Sequence, residues 1–117
     1  MQSPSLFLPT IPEVVGEDTN TELIQILDNL KKERWDEYDS WTQIYRLCLN
    51  EGYPLNIVVD YSKKSYKYDE SKNKTTLSSF KQMDDDGLRI NIFYMMLKED
   101  NVNMFHKMQL QKITFII

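Results

Sequence analysis

The sequence predicts an all-α protein: a small bundle of five to six short helices behind an extended N-terminal lead-in. Three observations predict it. Apolar residues recur every three or four positions through most of the chain after Asn20. Gly, Pro and Asp punctuate that pattern at intervals that suit short helices with short links. No alternating strand series is present. At 117 residues, with 41% hydrophobic and 27% charged, the chain is one domain of ordinary size. A domain of that size buries roughly two-thirds of its unfolded surface and folds without staples.

The lead-in is residues 1–20. Pro4, Pro9 and Pro12 oppose a regular helix there and Gly16 adds freedom. Leu6, Phe7, Leu8, Ile11, Val14 and Val15 make it apolar enough to dock on this domain or a neighbour. The helical domain is residues 21–112. Its first helix spans 21–33, with Leu23, Ile26, Leu27 and Leu30 on one face, Asn20 or Thr21 as cap, and Lys31 and Lys32 at the negative end of the helix dipole. Residues 38–51 form the second, with Trp41, Ile44, Tyr45 and Cys48 at helical spacing, Asp36 and Asp39 at its start, and Gly52 as a left-handed stop.

Pro54 suits the first turn of a third helix over 54–64, although the β-branched run Ile57-Val58-Val59 is also compatible with a short buried strand. Asp69 caps a fourth helix to Phe80, which is polar and depends on docking through Leu77 and Phe80. After the turn 83–87, a fifth helix over 88–99 turns Ile92, Phe93, Met96 and Leu97 inward. A short sixth covers 102–112 around Met104, Phe105 and Met108. The apolar tail, 113–117, suits either the start of a following element or a packed terminal strand.

Several function classes are excluded on composition and motif. The single Cys48 excludes an internal disulfide framework and a cysteine zinc cluster, and its helical position reads as a small core residue. No run of about 18 apolar residues exists, so no membrane span is expected, and the N-terminus, lacking a basic region followed by an apolar core, is not expected to be a secretory signal. There is no phosphate-cradling G-x-x-x-x-G-K-[ST], and His106 is the only histidine, so neither a nucleotide-hydrolase loop nor a histidine metal site is expected. Asp84-Asp85-Asp86 lacks the spacing of a calcium loop and reads as solvated charge ahead of a helix, so no metal and no cofactor is expected. No nucleophile, base and oxyanion set can be assembled, so the chain is not expected to be an enzyme.

One polar segment is informative. From Lys63 to Lys81 six lysines stand against Asp69 and Glu70, a local charge of +4 in a chain of net charge −4. Tyr66 and Tyr68 interleave with Lys63, Lys64 and Lys67. Lysines attract phosphates and tyrosines offer flat faces to unstacked bases, so these five residues are the candidate nucleic-acid contacts. The residues alone equally allow tyrosines that anchor a loop while the lysines stay wet. Trp35, Trp41, Tyr38 and Tyr45 form an aromatic cluster whose default role is core packing, with Trp35 either covering the core or facing a partner.

The order of short motifs resembles the primase C-terminal type 2 domain, a small helical domain of primase-helicases from large DNA viruses, phages and mobile elements. The matching residues are Tyr38 and Trp41, then Asn50-Glu51-Gly52, Ser62-Lys63-Lys64-Ser65, Lys67-Tyr68-Asp69-Glu70, Ser79-Phe80 and Lys98-Glu99-Asp100-Asn101. Together they cover roughly Thr21 to Phe105. Leu77 stands where the family usually has tryptophan, and Met96 where another aromatic is common, both still apolar.

The resemblance implies that the third segment is helical. It also implies a non-catalytic accessory role beside a primase, with the nucleotidyl-transfer carboxylates in an upstream domain and a ring-forming helicase domain downstream. Expected partners are then a single-stranded DNA template and those two domains, with an intracellular location in the cytoplasm or at a viral replication site. The alternative is a structural spacer between primase and helicase that touches no DNA.

Overall fold

Each helix buries one apolar stripe, and those stripes meet in a single core. The computed structural model describes residues 11–116, with side chains described over 20–112. Among the described residues there are six α-helices and no strand: α1 Ile11–Asp28, α2 Tyr38–Glu51, α3 Leu55–Ser62, α4 Glu70–Lys81, α5 Ile90–Asp100 and α6 Val102–Ile116. A single 3₁₀ turn, Lys32–Trp35, joins α1 to α2. Helix α5 packs along α6 and also contacts α2 and α1, while α3 and α4 pack on α2. Leu23, Ile26 and Leu27 of α1, Ile44, Tyr45, Leu47 and Cys48 of α2, Val58 of α3 and Phe93 and Leu97 of α5 are all buried. Truncating a side chain such as Phe93 to alanine there costs about 3–5 kcal/mol.

The first helix differs from the sequence expectation at both ends. It begins at Ile11, so residues 11–20 of the expected extended lead-in are helical, and residues 1–10 lie outside the described ones. Pro12 falls in the first turn, where a helix needs no amide from it. Asn20 and Thr21 are therefore interior rather than caps. The helix stops at Asp28, not Glu33, because Asn29 closes it: its side-chain amide donates to the Gln25 carbonyl at 2.7 Å and its backbone amide to Ile26 at 3.0 Å. Lys31 and Lys32 thus lie beyond the last turn, and the chain tightens into the 3₁₀ turn that buries Trp35.

Tertiary contacts fix that turn. The Asp100 carboxylate accepts from the Lys31 amide, Arg34 Nε and Arg34 Nη2, all at 2.9 Å, while Glu99 takes a further bond from Nη2 at 2.7 Å. Burial pushes the Asp100 pKa up, but the Arg34 hydrogen bond and the Lys31 amide outweigh it and leave the carboxyl below its usual value.

Helix α2 has the expected bounds, Tyr38–Glu51, and ends at Gly52 with φ +78°. Its start is uncapped by side chains, and Asp36 instead accepts from Ser65 Oγ at 2.6 Å. Glu51 reaches across to cap α5 by accepting the Ile90 amide at 2.7 Å. Asn50 donates to Asp86 at 2.6 Å and to the Leu88 carbonyl at 3.2 Å. The Ile57-Val58-Val59 run is helical, and Pro54 sits just ahead of α3 rather than in its first turn. Asp69 caps α4 as expected, accepting the Lys72 amide at 3.0 Å.

Polar α4 is held to α2 by the Tyr45 hydroxyl, which lies 2.7 Å from Ser62 Oγ and 3.1 Å from Asn73 Oδ1. Ser62 donates its own proton to the Val59 carbonyl, so the single Tyr45 proton is shared between the Ser62 and Asn73 oxygens. The acidic turn is tied down as well. Asp85 accepts from the Gly87 amide and pairs with Arg89, and Asp86 pairs with Arg46 at 2.8 Å. At the C-terminus the helix continues to Ile116, so residues 113–116 of the expected tail extend α6 rather than forming a strand.

Candidate nucleic-acid interface

The α3–α4 connection is short and internally bonded. Successive turns close through Lys63 N to Val59 O at 3.0 Å, Ser65 N to Ser62 O at 3.1 Å and Tyr68 N to Ser65 O at 3.1 Å. Ser65 is buried and works in both directions, donating to Asp36 and accepting from the Lys67 amide at 3.1 Å. With Ser62 and Ser65 turned inward, Lys63, Lys64, Tyr66 and Lys67 are left outward and exposed. The five candidate residues therefore share one anchored corner, four of them exposed and Tyr68 half-buried.

Cations and rings alternate on this corner. Lys64 Nζ lies 4.4 Å from the centre of the Tyr61 ring, and Lys67 Nζ lies 5.6 Å from that of Tyr66. Tyr61 stacks against Trp35 at 6.3 Å and its hydroxyl donates to Asp28, so it is a fixed support. Burial first, and then the Asp28 contact, push its phenol up to about 12. Among the described residues none of Lys63, Lys64 and Lys67 is paired with a carboxylate.

Two residues outside the candidate set reach the same place. Trp41 and Lys72 line a notch of about 60 Å³ together with Lys67, Tyr68 and the buried Trp35. They come from α2 and α4, so local spacing gives no sign of the meeting. Trp41, assigned to core packing from its helical position, is half-buried and packs edge-on against Tyr45 at 5.3 Å.

The other chemistry-bearing side chains are engaged in structure. Cys48 is fully buried and its thiol is pushed up to about 12 by burial, with the Glu51 charge adding to it. His106 is exposed beside Phe105. No helix among the described residues is long and apolar enough to cross a membrane.

Fold and corner together define a small all-α module with a basic, tyrosine-bearing edge. The chain belongs to the Primase C terminal 2 (PriCT-2) family, whose model matches residues 23–95. It is thereby associated with primases, as a domain of their C-terminal part. The matched span contains the whole α3–α4 corner and stops short of Lys98–Asn101, the last piece of the resemblance. No curated protein and no solved structure matches the chain.

Proposed function

We propose that this chain is a non-catalytic accessory domain of a primase-helicase that holds single-stranded template DNA during primer synthesis, inside the cell at a site of replication. Lys63, Lys64 and Lys67 contact phosphates, and Tyr66 and Tyr68 offer ring faces to bases. The observation that carries this reading is the charge on the α3–α4 corner. Three exposed lysines stand there without carboxylate partners among the described residues, in a chain of net charge −4. An acidic protein that leaves such a corner unneutralised offers a local site for an anion, not a surface that coats nucleic acid.

The test is fluorescence anisotropy with a labelled single-stranded oligonucleotide across a salt series. Three phosphate contacts on a single strand give a slope of log K against log salt near about −2. Replacing Lys63, Lys64 and Lys67 together by glutamate abolishes that binding. A parent chain that does not bind, or a variant that binds as the parent does, overturns the reading.

A second reading has its own observation. Met95, Val102 and Leu110 on α5 and α6 are exposed, and apolar surface of that kind suits a spacer docked between primase and helicase domains. Association of the chain with either neighbouring domain, in the absence of DNA binding, favours it.

A further inference from the structure

Tyr38 belongs to the aromatic cluster by sequence but not to the core. The residue is 61% exposed and its ring stands edge-on to Trp41, centroids 5.4 Å apart and planes at 79°. Tyr66 is 77% exposed. The notch relates the two: Trp41, which supports Tyr38, and Lys67, which lies over Tyr66, line it together. Lys72 lines it as well, without a carboxylate partner among the described residues. Asp69 is on the rim, but its carboxylate accepts the Lys72 amide as the cap of α4. At about 60 Å³ the notch does not enclose a base, so a ligand lies across it rather than in it.

We infer that Tyr38, backed by Trp41, is a second stacking platform for the strand held at the α3–α4 corner, and that Lys72 takes a phosphate between the two platforms. This rests on the template-binding reading above and deepens it by extending the path of the strand from the corner to the start of α2. An exposed ring face with a nearby cation receives an unpaired base of any identity, because every base presents a π-face. A duplex keeps those faces stacked internally, so the surface selects single strands with little sequence preference.

The experiment measures binding of a labelled oligothymidylate, with an unlabelled duplex of equal length as competitor. The proteins are the parent, Tyr38→Ala, Tyr38→Leu, Tyr38→Phe, Lys72→Glu and the triple lysine variant. Tyr38→Ala and Tyr38→Leu weaken single-strand binding about five-fold or more, while Tyr38→Phe keeps it. The leucine retains apolar cover on Trp41, so its loss of binding is not a loss of packing. Lys72→Glu weakens binding and reduces the salt slope by about 0.7. The duplex competes poorly. If Tyr38→Ala and Tyr38→Leu bind as the parent does while the triple lysine variant has lost binding, the strand runs elsewhere and this inference alone fails. If the parent does not bind, or the triple variant binds normally, the template-binding reading fails and this one with it. Loss of association with a neighbouring protein domain, with DNA binding intact, also overturns it.

Discussion

Asp100→Asn tests the joint that closes the bundle. The carboxylate is 6% exposed at its side chain and receives three hydrogen bonds, two from Arg34 and one from the Lys31 amide. Arg34 is 21% exposed at its side chain, and Glu99, 68% exposed, is its only other acidic partner among the described residues. Asparagine removes the charge and puts an NH2 group where one acceptor oxygen stood, so at least one of the three bonds is lost to a donor–donor contact and a partly buried guanidinium loses its counter-ion. Removing one partner of a fully buried pair costs about 3–5 kcal/mol. The exposure of Arg34 and the surviving Glu99 bond reduce that to about 2–3 kcal/mol. Thermal unfolding followed by far-UV circular dichroism then shows a melting temperature lower by roughly 8–12 °C.

The pH dependence carries the same information. The folded Asp100 carboxyl lies below its ordinary value, so its contribution is complete above the unfolded pKa of about 3.9 and is lost as pH falls through the folded one. The difference between parent and variant therefore narrows below about pH 4. Glu99→Gln is the control and costs under about 1 kcal/mol. Melting of Asp100→Asn within a degree or two of the parent, or an equal loss in Glu99→Gln, would refute the reasoning.

Two further perturbations address the fold. Tyr45→Phe removes the hydroxyl that joins α2 to α3 and α4 and leaves Asn73 Oδ1 short of a donor, at a cost of about 1–3 kcal/mol in urea unfolding; an unchanged midpoint would mean the polar junction contributes nothing. Gly52→Ala meets no atom within 4 Å, so only the φ of +78° opposes it, and it lowers stability by about 1–2 kcal/mol; a neutral result would show that the turn relaxes out of the left-handed region.

Much of the fold was legible because helical periodicity and cap chemistry are local. Trp41 to Glu51 carries its own inner face and Gly52 its own stop, so α2 could be read to the residue. Asp69 likewise announces α4 through a bond that spans three positions. The misreadings came where distant partners decide. Nothing near Lys31 shows that Asp100 will take its amide, so the 3₁₀ turn after α1 was hidden. Asp36 is a plausible cap by position, yet Ser65 claims it from the α3–α4 connection. The proline-rich start misled because Pro12 sits in a first turn, the one helical place that tolerates it. At the candidate site, the run from Lys63 to Tyr68 was visible as a charge pattern, whereas Trp41 and Lys72 reach it only through packing.

The residues of the family resemblance divide sharply once their contacts are known. Glu51 caps α5, Gly52 turns the chain, Ser62 and Ser65 pin the corner, Asp69 caps α4 and Asp100 closes the 3₁₀ turn. Asn101 caps α6 through the Met104 amide at 3.1 Å and donates to Asn29 at 3.0 Å. Stability accounts for each of these without reference to a ligand. It does not account for Lys63, whose side chain is exposed and has no carboxylate partner among the described residues, nor for the open ring of Tyr38. Ordering long, charged or aromatic side chains at a surface gains a fold little, since exposed groups of this kind contribute within about 0.5 kcal/mol. Of these, Ser62, Ser65 and Asp69 hold the α3–α4 corner, and under the proposed template-binding reading they are a mount for what that corner presents. Rigidity is also what a strand-holding surface needs, because a pre-ordered site leaves less freedom to be lost on binding.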